Sequence, residues 1–165
     1  MWQLFLDYAT IIAGLAAAAS VFYLAKQVKV TIEQEKVNRS CDFIKRFNDP
    51  IFGKILADTM LFLKSLQEEA EVKEFLEKRH KNPIWIKMHQ IIGICLNFFE
   101  EIGELYNRGL LYEELIDDFF SGGSIFYYEK AEPYIKLRIE QTERTHLFKE
   151  WQIMNETFRK KGLVF

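Results

Sequence analysis

Proline occurs three times, glycine eight times and cysteine twice in this 165-residue chain. So few backbone breakers exclude a collagen-like or disordered chain, and the length leaves no room for a multi-domain enzyme. The two cysteines, Cys41 and Cys95, stand in apolar helical surroundings and read as small core residues in a reducing compartment. Neither sign of charge dominates: 22 Lys and Arg face 24 Asp and Glu, for a net charge of −2. A globally basic nucleic-acid binder is not expected, although a local basic patch remains compatible. What the chain has in quantity is apolar surface, 49% hydrophobic residues and 15 Phe, enough for one compact domain.

That apolar content is unevenly spread. Tyr8 to Ala25 reads YATIIAGLAAAASVFYLA, 18 residues without a charge, and Trp2, Leu4, Phe5 and Leu6 extend it upstream. At about 1.5 Å per residue such a helix reaches roughly 27 Å, close to the hydrocarbon thickness of a bilayer. Residues 1–25 therefore predict a transmembrane helix and 26–165 a cytosolic helical bundle, with 26–47 as a connecting helix. Two other readings compete. A signal peptide would begin with a basic region, whereas Met1 to Leu6 holds no Lys or Arg and Asp7 has the wrong sign, although Ala16 to Ser20 imitate a cleavage site. A buried core helix is the other, because alanine is only weakly hydrophobic. Lys26, Lys29, Lys36 and Arg39 flank the C-terminal side, which places the N-terminus outside and the bundle in the cytosol of a single-pass inner-membrane protein.

The span is rich in small residues. Ala9, Ala13 and Ala17 follow at i, i+4, and Gly14 with Ala18 forms a second pair. Small residues let helix backbones approach closely, so helices from several copies of the chain are expected to pack in the lipid bilayer as a homo-oligomer; a monomeric anchor is the alternative.

Beyond it the chain reads as helix throughout. Val30, Val37, Cys41, Ile44 and Phe47 recur at helical spacing before Asn48-Asp49-Pro50, a cap followed by a helix-opening proline. A helix with Ile55, Leu56, Met60 and Leu63 comes next, then a charged stretch from Gln67 to Lys81 that suits a solvated helix. Asn82-Pro83 opens the most strongly patterned helix, with Ile84, Met88, Ile91, Cys95, Phe98, Ile102 and Leu105 on one row and Trp85, Ile92, Leu96, Phe99 and Tyr106 beside it. It belongs at the bundle centre; His89, Gly93, Asn97, Glu100 and Glu104 share its remaining face, and Gly109 closes it. LLYEELIDDFF predicts a short helix ending at Ser121-Gly122-Gly123-Ser124. A helix from Ile125 to Arg144, interrupted at Pro133, and a last one bearing Leu147, Trp151, Met154 and Phe158 complete an all-α chain.

The chemistry such a bundle holds is sparse. Gly122-Gly123 lacks the GK[ST] of a phosphate loop. His80, His89 and His146 are scattered, no Glu-x-x-His pair occurs, and neither metal nor cofactor is implied. Glu100, Glu101 and Glu104 read as solvent contacts or salt-bridge partners. Arg138 and His146, in RIEQTERTH, are degenerate candidates for the Arg-x(4–6)-His ribonuclease motif of HEPN bundles, in which histidine serves as acid/base and arginine steadies phosphate charge. Seven residues separate them, outside that pattern, and Ile139 replaces the usual polar residue. They could still share a face if the helix is unbroken; otherwise they belong to a solvated charged surface.

RSCDFIKRF followed by NDPIF, LNFFEEIGELYNRGLL and YYEKAEPYIKLRIEQTER, behind an N-terminal span, resemble the small bacterial proteins grouped as DUF4760. They are most similar to the larger membrane accessory proteins of type VI-B CRISPR loci. Asn97, Phe99, Glu100 and Gly109 are the most specific of these positions. The resemblance implies a HEPN-like bundle that assembles into a membrane pore, linked functionally to an RNA-guided RNase, and that strengthens antiphage defence by disturbing the inner membrane rather than by catalysis. Carried onto this chain, Thr10, Gly14, Ala17 and Val21, spaced four, three and four, would line the pore, with the bundle as the surrounding ring. A membrane-tethered HEPN-type ribonuclease and a membrane-anchored scaffold or signalling module stay open beside it, as does direct RNA binding.

Overall fold

The computed structural model describes residues 2–66 and 68–163; before Gly14 it describes the side chains of Trp2, Tyr8 and Ile12. The described chain is all α-helical, without a strand: α1 (Trp2–Phe47), α2 (Pro50–Ser65), α3 (Glu69–Lys78), a 3-10 turn (Arg79–Lys81), α4 (Pro83–Asn107), α5 (Glu113–Thr142) and α6 (Lys149–Lys160). Two compact units divide it, 1–38 and 39–165, so the boundary falls inside the stretch expected to connect span and bundle.

The first unit is helix alone. Leu15, Val21, Phe22, Tyr23 and Leu24 are all exposed, and no described residue of the unit covers them. In the second unit the phenylalanines converge. Phe43 and Phe47 at the end of α1 meet Phe52 on α2, Phe98 on α4 and Phe120 on α5, with Phe52 and Phe98 only 4.5 Å apart and Phe47 edge-on to Phe120 at 5.3 Å. Such pairs add about 0.5–1.5 kcal/mol each beyond the area they bury. α4 runs through the middle, and Ile92, Cys95, Leu96, Phe98, Phe99 and Ile102 are fully buried, as the two apolar rows require. Cys95 lies 3.2 Å from the Thr59 hydroxyl, while Cys41 is half-buried; both thiols are free.

Local signals set the helix ends. Asp49 Oδ1 accepts from the Ile51 and Phe52 amides (2.8 and 3.1 Å), and Asn82 Oδ1 accepts from the Ile84 amide (2.9 Å), each ahead of a proline at the first helical position. Gly109, at φ +65°, ends α4 with paired bonds from its own amide to Tyr106 O and from the Leu110 amide to Leu105 O, both 2.9 Å.

Two expectations need correction. The helix does not stop at Ser121-Gly122-Gly123-Ser124: α5 runs for 30 residues through it and through Pro133. Those small residues are a packing site, not a terminator. Ser121 and Ser124 are buried, and Ser124 Oγ accepts from Trp151 Nε1 and donates to Asn155 Oδ1, both at 2.7 Å. Around Pro133, buried Ala131, Tyr134, Ile135 and Leu137 hold the helix despite the lost amide donor. The charged stretch before Asn82 is likewise not solvated all round, because Val72, Phe75 and Leu76 are buried on one face of α3.

Candidate functional site

In α1, the described segment from Gly14 to Phe47 is long and apolar enough to cross a membrane, by length and composition. Gly14, Ala17 and Val21 lie on one face and are exposed, and among the described residues nothing beyond the local helix backbone comes within 4 Å of where a Cβ on Gly14 would stand. The Thr10 side chain lies outside the described residues. Ser20 Oγ donates to Ala16 O (2.8 Å) and Thr31 Oγ1 to Gln27 O (3.0 Å), so both hydroxyls are satisfied within the helix.

In the bundle, Arg138 and His146 fall on opposite sides of a helix end. α5 stops at Thr142, Glu143 takes a left-handed conformation (φ +55°), and His146 lies exposed in the following turn. The unbroken helix needed for a shared face is absent.

Arg138 instead joins a different set of side chains. Tyr134, Arg138 and Gln141 recur at i, i+4 and i+7 along α5. Arg79, from the 3-10 turn, donates through Nη1 to Leu76 O and to Gln141 Oε1 (3.5 Å). His89 on α4 lies 2.8 Å from the Tyr134 hydroxyl through Nδ1, and Phe75 closes the rear, its ring 5.6 Å from Trp85 and 6.4 Å from both His89 and Tyr134. The Tyr134 hydroxyl and His89 Nδ1 satisfy each other, and in the tautomer where the hydroxyl donates, Nε2–H is the remaining donor of a neutral imidazole. Burial, followed by the positive charges of Arg79 and Arg138, lowers the His89 pKa to about 4. Burial pushes Tyr134 up to about 12 against the pull of the same arginines. Of this set the sequence singled out Arg138 as a site candidate and placed His89 only on the polar side of α4; the heptad spacing of Tyr134, Arg138 and Gln141 was the available signal.

The three α4 carboxylates are structural. Glu100 accepts from the Trp151 amide (2.9 Å) and the Glu150 amide (3.3 Å) at the start of α6. Glu101 pairs with Arg46 (3.2 Å) and Glu104 with Arg108 (2.8 Å). One turn from Glu100, Gly103 sits so close to α6 that an added Cβ would stand 2.7 Å from the Glu150 carbonyl and the Trp151 nitrogen. Asn107 Nδ2 then donates to Glu150 O (2.9 Å) and Oε2 (2.8 Å), so Glu100, Gly103 and Asn107 seat the first turn of α6 on one face of α4. At the other end of α6, Lys161 bonds Tyr106 Oη (2.8 Å), Asp117 and Glu113. Among the described residues no three His, Cys, Asp or Glu side chains gather as a metal site.

No curated protein and no solved structure matches the chain significantly. The model of a domain of unknown function, DUF4760, matches residues 10–158, nearly the whole length over which these helices are built, and the chain belongs to that family.

Proposed function

We propose that this chain is an oligomeric membrane effector: a single-pass inner-membrane protein whose N-terminal helices pack as a pore and whose HEPN-like bundle stands in the cytosol. In this reading it enhances RNA-guided, type VI-B CRISPR antiphage defence by perturbing the membrane. The observation that carries it is the first helix, where exposed Leu15, Val21, Phe22 and Leu24 accompany Gly14 and the run Ala16 to Ala19, a surface suited both to lipid and to close helix contact. Lys26 and Lys29, directly after the apolar run, support the cytosolic placement of the bundle. The defence role rests on the resemblance of the NDPIF, LNFFEEIGELYNRGLL and YYEKAEPYIKLRIEQTER segments.

The test is the mass of the full-length protein in mild detergent, by size exclusion with light scattering, beside a chain lacking residues 1–25. A discrete large oligomer that collapses on removal of those residues is expected, with leakage of small ions from vesicles as the next measurement. A monomer or dimer would end the pore reading and leave a tethered ribonuclease, tested by RNA cleavage with and without His146→Ala, or a scaffold.

A further inference from the structure

The geometry points to a phosphate-binding site in the bundle, formed by Arg79, His89 and Arg138, that takes a phosphate group either free or carried on a nucleotide. Arg79 and Arg138 are both half-buried, and among the described residues neither forms an ion pair. Arg79 spends its Nη1 on a backbone carbonyl and on the neutral Gln141 amide, whereas the Arg138 guanidinium has no hydrogen-bond acceptor among the described residues. Nearby acidic residues are engaged elsewhere or exposed: Glu132 pairs with Lys136 at 3.0 Å, and Glu140 and Glu143 stand in solvent. Two partly buried cations without a counter-charge make the spot attractive to an anion.

The donors suit phosphate in kind as well as in charge. Two guanidinium forks offer paired N–H groups in the fixed planar arrangement that matches phosphate oxygens. The His89 imidazole adds Nε2, which is a neutral N–H donor in the tautomer whose Nδ1 accepts from the Tyr134 hydroxyl. Three elements supply these groups, the 3-10 turn, α4 and α5, and the Phe75, Trp85 and Tyr134 rings support them from behind. His80 and Lys81, exposed beside Arg79, extend the positive field outward. The site is independent of the membrane reading: phosphate binding without membrane activity would leave this inference standing and remove the other.

The experiment is calorimetric titration of the full-length protein in mild detergent and chloride buffer, with inorganic phosphate, ATP and adenosine as probes. Phosphate and ATP are expected to bind saturably and to compete, while adenosine does not bind. Arg138→Gln should weaken both by about tenfold or more, since it removes a charge-assisted fork. Arg138→Lys, which keeps the charge and loses the fork, should fall between, and guards against a misfolded Gln variant. Arg108→Gln, at the far end of α4, should change nothing. ATP tighter than phosphate identifies a nucleotide, and equal affinities identify the free anion. No saturable binding of either, adenosine binding as well as ATP, or an unchanged affinity in both Arg138 variants would overturn the assignment.

Discussion

The Glu100 carboxylate, in the C-terminal half of α4, caps a helix that begins 49 residues later: its Oε2 lies 2.9 Å from the Trp151 amide nitrogen. Exposed amides at a helix start have no intrahelical acceptor, and losing a cap costs about 0.5–2 kcal/mol. Glu100→Ala should therefore lower stability in chemical denaturation by about that amount, with Glu100→Gln losing less because it keeps an acceptor. Burial raises the Glu100 pKa above its ordinary 4.5, with the two amide bonds opposing. A raised folded value means the folded state holds the extra proton, so this contribution is present at low pH and lost as pH rises through that value. The stability of the native chain relative to Glu100→Gln should decline from pH 4.5 upward; a pH-independent difference would contradict the burial argument.

Gly103→Ala places a methyl group against α6 backbone atoms at 2.7 Å. Backbone cannot rotate out of the way as a side chain can, so α4 and α6 must part. The expected loss is about 1–3 kcal/mol, the cost of overpacking a core, visible as a lowered Tm. Gly93→Ala, where nothing lies within 4 Å, is the matched control and should be neutral or slightly stabilising.

His89 gives the opposite pH sign to Glu100. Its folded pKa, about 4, lies below its ordinary 6.5, so the unfolded chain binds the proton first. Stability from this group is present above 6.5 and is lost as pH falls toward about 4. Following the imidazole resonances by NMR should show His89 staying neutral to about pH 4. In His89→Gln the acid limb of the stability profile should be shallower between those two values.

Ala17→Lys tests the first helix. A charge near the middle of a packed apolar span costs about 2.5–3.5 kcal/mol on insertion scales. Loss of the detergent-stable oligomer and of vesicle leakage is expected, with the thermal unfolding of the bundle unchanged. An oligomer that survives would place Ala17 away from any helix contact.

The helix starts at Pro50 and Pro83 and the stop at Gly109 were legible because each is decided within a few residues, by a side-chain cap, a proline ring or a positive φ. The apolar rows of α4 were legible for the same reason. The course of α5 was not. Ser121 to Ser124 look like a terminator in isolation, and they become helical because Trp151 and Asn155, 27 and 31 residues distant, meet Ser124 there. Glu100 and His89 were read as exposed or undecided, since their partners, Trp151 and Tyr134, stand 51 and 45 residues away. The pairing of Arg138 with His146 depended on one unbroken helix, and the left-handed turn at Glu143 ends it.

Because α4 holds Tyr134 through His89 near one end and α6 through Glu100, Gly103 and Asn107 near the other, its length acts as a gauge. Inserting or deleting one residue between positions 89 and 100 would turn one set of contacts about 100° away from the other. A change in chain length is therefore better absorbed in a connection such as 108–112 or 143–148 than between those positions, and α4 can change its side chains far more readily than its count.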